Sequence, residues 1–356
     1  MALQLIIKEE KIEILDNQQV FKITFINNNN YAVSFYNFGG YINNILIPYN
    51  HNLYEHEDVL LGYRNFEEYI SDQSYLNCIV GRVCGRIANA KFNLNDHTYE
   101  LFSNDGHHHL HGGQSGFNKK VWHIDSLNEK SDETSCELHY KSPHLEEGYP
   151  GNLECRTKYI LNDNNEFIIQ FNATTDYDTL VNLTNHNYWN FHGHEKFYQN
   201  ILGHCLEIHS CSYFEIDKNF ISTGKINNAN KTKYDFSSFK KINNYDLEDN
   251  GIDLCYIVEK YDGTLKKIAS LYSDKTKMGV KILSDQPCVQ FYTGNMMKQS
   301  YNGKFNKNYG YQHALCLEPQ LFPIAFSQKN FKSAVLLKDK QYESTIVMQL
   351  KNNFNE

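Results

Sequence analysis

Proline is scarce in this chain, with six in 356 residues, and there is no Cys-x-x-Cys pair and no run of lysine and arginine. No apolar stretch approaches the roughly 18 residues that a membrane helix needs. The N-terminal Met1-Ala2-Leu3-Gln4-Leu5-Ile6-Ile7-Lys8 lacks a basic lead, and its apolar run is too short for a signal peptide. A cytoplasmic protein with no membrane partner is therefore expected. The formal charge of -8 is spread along the chain, which argues against a nucleic-acid groove and against a polybasic membrane anchor. The expected partner is a small, uncharged molecule. Nine cysteines, an odd number, lie scattered, and several such as Cys288 and Cys316 sit inside apolar runs. They read as reduced core residues, not as a disulfide framework. Helical periodicity is nearly absent as well.

What is present is aromatic side chains, 26 Tyr and 22 Phe, and a repeated hairpin signal. Residues 21–26 and 31–36 alternate apolar and polar around Asn27-Asn28-Asn29-Asn30, and asparagine tolerates the left-handed backbone of a tight turn. The same pattern recurs at 91–94 with 99–102, at 159–161 with 167–171, and at 270–272 with 279–283. Hairpins through the whole length favour an antiparallel sandwich over a parallel sheet with crossover helices. Short helical turns are expected only near 65–69 and 245–248. Length alone allows about two domains, but no linker or composition shift divides the chain, so residues 1–356 are expected to form a single domain.

Chemistry is concentrated in a few stretches. In Val181-Asn182-Leu183-Thr184-Asn185-His186-Asn187-Tyr188-Trp189-Asn190 the alternation of a half-buried strand passes into an aromatic, amide-rich run at His186. An unperturbed imidazole has a pKa of roughly 6.5, so about a quarter would be protonated at neutral pH, enough to deliver a proton. The alternative is a buried histidine that satisfies a carbonyl. Gly81-Arg82-Val83-Cys84-Gly85-Arg86 sets two arginines among small residues, where Arg86 can grip a polyol or a buried carboxylate. His107-His108-His109-Leu110-His111-Gly112-Gly113 invites a metal reading, yet no carboxylate or cysteine completes a ligand set at a recognised spacing. His111, before two glycines that relieve backbone crowding, is the member of interest. Asp253 opens an apolar strand as a turn cap or a hydroxyl acceptor. The strand after Pro287 supplies aromatic wall. Glu318, flanked by Leu317 and Pro319, is poorly solvated, which raises a carboxyl pKa toward the range useful for a base. An ion pair with Arg86 is its structural alternative.

Taken together these stretches resemble the aldose 1-epimerase (galactose mutarotase) family. The matching pieces are Gly-Arg-Val-x-x-Arg-Ile-Ala at 81–88, Leu-His-Gly-Gly at 110–113, Gly-Phe-x-Lys-x-Val-Trp at 116–122 and Glu-Gly-Tyr-Pro-Gly at 147–151. Asn-Leu-Thr-Asn-His follows at 182–186, then Gly-x-Asp at 251–253, Gln-Phe-Tyr-Thr-Gly-Asn at 290–295 and Cys-Leu-Glu-x-Gln at 316–320. Their order is the family's and they span nearly the whole chain. The resemblance implies a large antiparallel β-sandwich of the galactose mutarotase type and an isomerase acting on aldohexoses. It implies Glu318 as general base, His186 as general acid, His111 as a second histidine at the reacting end, and Arg86 and Asp253 as sugar-hydroxyl binders. No metal or organic cofactor is implied, and a monomer or weak homodimer is expected. Gly85, the histidine run 107–109 and Ile252-Asp253-Leu254 depart from the usual pattern, which bears on sugar preference more than on reaction type. The rival readings are a hexose-6-phosphate 1-epimerase, which needs clustered Arg or Lys, a non-catalytic carbohydrate-binding protein, and a glycoside hydrolase working through two carboxylates.

Overall fold

The structure is a computed structural model and describes residues 6–194, 198–247, 251–297, 301–323 and 334–354. The expected hairpins form. Gln18–Ile26 pairs with Ala32–Tyr36, Lys91–Leu94 with His97–Glu100, Leu153–Asn162 with Glu166–Thr175, and Lys266–Ser273 with Gly279–Ser284. In the second of these the turn is tighter than the sequence suggests. Only Asn95 and Asp96 take positive φ, 50° and 62°, and His97 already belongs to the strand. Phe66–Ile70 is a one-turn helix, capped by reciprocal contacts of Asn65 and Glu68. Residues 244–247 form turns, and Glu248 lies outside the described residues.

All ladders between strands are antiparallel, and three sheets carry the architecture. The N-terminal meander runs through Ile6–Leu15, Gln18–Ile26, Ala32–Tyr36, Ile42–Tyr49 and Asn52–Asp58. A nine-stranded sheet has the C-terminal strand Gln341–Lys351 in its middle, between Glu166–Thr175 and Gly279–Ser284, so distant parts of the chain share one ladder. The third sheet is ordered Ser222–Asn228, Ser212–Ile216, Asp253–Ile257, Cys288–Tyr292, Cys316–Gln320. One core cluster extends from Ile23 to Leu350 and includes the fully buried Trp122 and Trp189. Burying one large apolar side chain stabilises by roughly 1.5–3 kcal/mol, so a cluster of this extent offsets much of the ordering entropy of many short strands.

The third sheet positions the site because its two faces have different fates. Leu254, Tyr256, Val289, Phe291 and Leu317 point into the main core. Their alternates Asp253, Cys255, Gln290, Tyr292, Glu318 and Gln320 line a cavity on the other side, as the period of two in a strand requires. Pro319 is tolerated because Cys316–Gln320 is the edge strand, where its missing N–H breaks no ladder. All nine cysteines are free, as expected.

Several imidazoles are structural. His109 shares a hydrogen bond with the Phe102 carbonyl at 2.8 Å and with the Tyr149 hydroxyl at 2.7 Å, and His194 contacts the Leu60 carbonyl at 2.9 Å. Burial holds each down to about 4. Unfolded, both would titrate near 6.5. Their contribution to stability is therefore fully present above roughly pH 6.5 and is lost as pH falls toward the folded value. We expect the thermal midpoint to drop steadily from pH 7 to pH 5, before ordinary carboxylates protonate; calorimetry returning a flat midpoint over that interval would contradict this.

Candidate active site

The cavity encloses about 830 Å³, within the usual range for small-molecule sites. Its walls come from the third sheet, from residues 73–75, from the segment 85–88 and from the turn around Phe220.

Glu318 and His186 meet at one end of it. His186 Nε2 lies 3.5 Å from Glu318 Oε1, and both side chains are almost fully buried. Cross-chain stitches hold them there. Trp189 and Leu315 exchange backbone hydrogen bonds at 2.8 and 3.1 Å, and the Thr184 hydroxyl donates to the Pro319 carbonyl at 2.8 Å. Behind the imidazole, the Tyr188 ring stacks at 4.9 Å and 14°. The Tyr188 hydroxyl in turn donates to the Ser74 carbonyl at 2.7 Å.

Two expectations about this stretch are overturned. It is not a half-buried strand: only Thr184–Asn185 forms a ladder, with Ile79–Val80, and every residue from 179 to 194 is buried. Nor does His186 keep an ordinary imidazole pKa. Burial pushes it down to about 4, so it is neutral in the sugar-free site and not a quarter protonated. Burial pushes Glu318 well above the usual carboxyl range, with Asp253 and Cys255 adding to the effect. Desolvation thus favours the uncharged form of both partners, the arrangement with the pair's proton on its carboxyl side.

His111 extends the group. It follows His109–Leu110, which pairs with Arg86–Ile87, and its backbone takes φ 53°. Its Nδ1 accepts from the Gly85 N–H at 3.2 Å, which leaves the neutral ring's proton on Nε2. Its ring centroid is 5.4 Å from that of His186 and 4.6 Å from that of Tyr75. Burial, followed by the proximity of His186 and Arg86, keeps it well below the normal imidazole value. The glycine after it is required by space: a Cβ on Gly112, at φ +89°, would lie 1.7 Å from the Gly81 carbonyl oxygen. The other histidines of this run belong to no candidate metal-ligand group among the described residues. His107 is exposed, His108 accepts from the Asn89 N–H at 3.1 Å, and both His109 nitrogens are engaged.

The two arginines separate sharply. Arg82 faces away from the cavity, donating to Ser142 Oγ at 2.8 Å and to the carbonyls of Pro150, Pro143, Ser142 and Gly151 at 2.9 to 3.1 Å. Arg86 faces into it. Its Nε contacts Asp105 Oδ2 at 2.6 Å and its guanidinium sits 5.0 Å from the Phe220 ring centroid. The considered ion pair between Glu318 and Arg86 is therefore absent: Arg86 takes Asp105, and Glu318 takes His186. Asp253 accepts from Gln290 Nε2 at 2.6 Å, so it is no turn cap; burial raises its pKa while the Arg86 charge opposes the rise. Asp105, Gln290 and Tyr75 escaped the sequence reading. Asp105 had a signal, standing beside a glycine in the same loop as His111.

A sequence profile for aldose 1-epimerase matches residues 22–349. Galactose mutarotase of Bos taurus is 32% identical over 292 residues, covering 81% of this chain and 82% of that protein. Aldose 1-epimerase of Haemophilus influenzae is 32% identical over 308 residues, covering 85% and 86%. Among solved structures, galactose 1-epimerase from Lactobacillus acidophilus superposes with a TM-score of 0.84 at 23% identity, covering 98% of this chain and 99% of that one. An aldose epimerase homologue from C. elegans gives 0.83 at 24%, covering 93% and 99%. These last two speak for the fold.

The arginines should part in a stability assay. Arg82→Met strands several buried carbonyls at once and is expected to cost about 3–5 kcal/mol, whereas Arg86→Met should leave the denaturant midpoint close to that of the parent. Equal losses from the two substitutions would show that the orientation of Arg86 toward the cavity is wrong.

Proposed function

The chain belongs to the aldose 1-epimerase family, and from that premise we propose that it interconverts the α and β anomers of aldohexoses such as galactose and glucose by opening and re-closing the ring. The observation that carries this reading is the contact of His186 Nε2 with Glu318 Oε1 at 3.5 Å in the wall of the cavity. The anomeric hydroxyl and the ring oxygen are bonded to the same carbon, so an acid and a base serving both must themselves be neighbours. Each must also come within about 2.6–3.2 Å of its own oxygen.

In the forward step Glu318 takes the proton of the anomeric hydroxyl while His186 protonates the ring oxygen. Rotation about C1–C2 then presents the other face, and the roles reverse on closure. A bound sugar supplies what the dry site lacks. Its ring oxygen accepts from an imidazolium N–H and its anomeric hydroxyl donates to a carboxylate, which together move the pair's proton onto His186. Ring opening passes that proton from His186 to the ring oxygen and puts the anomeric hydroxyl's proton on Glu318, which leaves both partners uncharged, the arrangement that burial already favours. Desolvation thereby lowers the free energy of the open-chain complex relative to the charged pair, which is the direction catalysis requires. His111, neutral and with its proton on Nε2, suits a hydrogen-bond donor to the anomeric oxygen as it becomes a carbonyl. Arg86, oriented by Asp105, and Asp253, oriented by Gln290, suit the remaining hydroxyls.

The chemistry needs neither hydride carrier nor nucleophile. A sugar phosphate is the less favoured substrate, because Arg82 is consumed by carbonyls and only Arg86 and Lys91 bring a cation to the cavity wall among the described residues. The core cluster from Ile23 to Leu350 supports treating the chain as one domain. No helix among the described residues is long and apolar enough to cross a membrane.

Polarimetry on freshly dissolved α-D-galactose and α-D-glucose tests the assignment. Glu318→Gln should fold normally yet lose about 10²- to 10⁴-fold in turnover; near-normal turnover would remove Glu318 from the base role. His186→Asn should lower kcat with little change in KM, since its proton matters in the transition state, and a change confined to KM would oppose the acid role. For Arg86→Met the pattern inverts. KM should rise about 10-fold or more with kcat largely kept, the scale of one hydrogen bond from a charged group.

A further inference from the structure

One buried nucleophile next to the pair is left unused by proton transfer. Cys316 lies two residues before Glu318 on the same strand face, fully buried against Tyr188 and Tyr292. A His186 ring nitrogen, the Cys316 sulfur and a Glu318 carboxylate oxygen all lie within 4.8 Å of one another. We propose that His186, Cys316 and Glu318 form a binding site for a borderline divalent cation of the zinc type, and that occupation of this site excludes the sugar.

The donor set selects the class of ion. Imidazole, thiolate and one carboxylate suit zinc or cadmium, whereas magnesium and calcium demand an oxygen cage. Tetrahedral zinc with bonds of about 2.0–2.3 Å has ligand–ligand edges of roughly 3.3–3.7 Å. The His186–Glu318 separation of 3.5 Å already matches such an edge. The remaining separations, within 4.8 Å, need to close by about 1.5 Å at most, within the reach of side-chain torsions in a thiol and an imidazole. Three protein ligands leave a fourth position for a water.

Charge argues the same way. Metal binding takes the thiol as thiolate, the carboxyl as carboxylate and the imidazole as neutral, so a dication meets one thiolate and one carboxylate. The occupied site is then neutral inside a wall that would penalise net charge. The ion would sit on the two groups assigned to acid–base chemistry and hold both in the wrong protonation state. The inhibition arm of the inference rests on the epimerase reading; the binding arm does not.

The test uses the full chain, freed of metal by a chelator, titrated with Cd²⁺ and with Zn²⁺. Cadmium should bind one per chain with an ultraviolet thiolate-to-metal charge-transfer band, and saturating D-galactose should displace it. Cys316→Ser and Cys316→Ala should abolish the band and weaken binding at least 10- to 100-fold, while sugar turnover stays within a few-fold of the parent and becomes insensitive to the metal. Affinity and band unchanged in both Cys316 variants, or affinity unchanged in His186→Asn and Glu318→Gln, would overturn the site. Metal binding that depends on all three residues in a protein inactive on every aldose would uphold the site and refute the epimerase reading instead.

Discussion

A carboxyl group and an imidazole held 3.5 Å apart behind a wall of tyrosine rings form the interaction on which the rest of this molecule turns. In water near neutral pH such a carboxyl would be ionised and the imidazole mostly neutral. Here burial penalises charge on both partners and leaves one proton between them. A polar ligand that supplies hydrogen bonds to both groups would offset that penalty and ease the transfer of the proton between them.

Keeping the pair dry and in register is the work of the five-stranded sheet. Odd and even residues of Cys316–Gln320 have opposite destinations: Leu317 joins the main core while Glu318 and Gln320 face the cavity. The neighbouring ladder pairs Gln290 with Glu318 on one side and with Cys255 on the other, so the site floor is a row of directly opposed residues. A slip of one residue would exchange Glu318 for Leu317 or Pro319. The core side chains therefore set the position of the Glu318 carboxyl although they face away from the cavity. The long segment carrying His186 is fixed differently, by isolated bridges to Leu315 and Leu60 and by side-chain hydrogen bonds. An element with so few ladder bonds can be placed only by a complete surround.

Polar groups that resemble one another in sequence serve opposite ends here. Arg82 and Arg86 lie four residues apart in a run of small residues, yet the first closes five hydrogen bonds to Ser142 Oγ and to backbone carbonyls, and the second is half of a paired charge at the cavity edge. His109 and His111 divide similarly, the one consumed by Phe102 and Tyr149, the other turned to His186 and Tyr75. A glycine whose Cβ would meet the Gly81 carbonyl makes the second orientation possible.

The sequence by itself determined the antiparallel, strand-rich architecture, because alternation and Asn-rich turns are local properties that any surround must respect. It also carried the identity of Glu318, His186, His111, Arg86 and Asp253 as the candidates, through the order of short motifs along the chain. Only the tertiary structure decided which partner each would meet. Asp105 claims Arg86 from 19 positions away, Gln290 claims Asp253 from 37, and His186 loses its ordinary pKa through burial beside Glu318, 132 positions along the chain. Periodicity could not reveal that residues 179–194 are buried on all sides, since a segment surrounded by protein has no polar face to betray it.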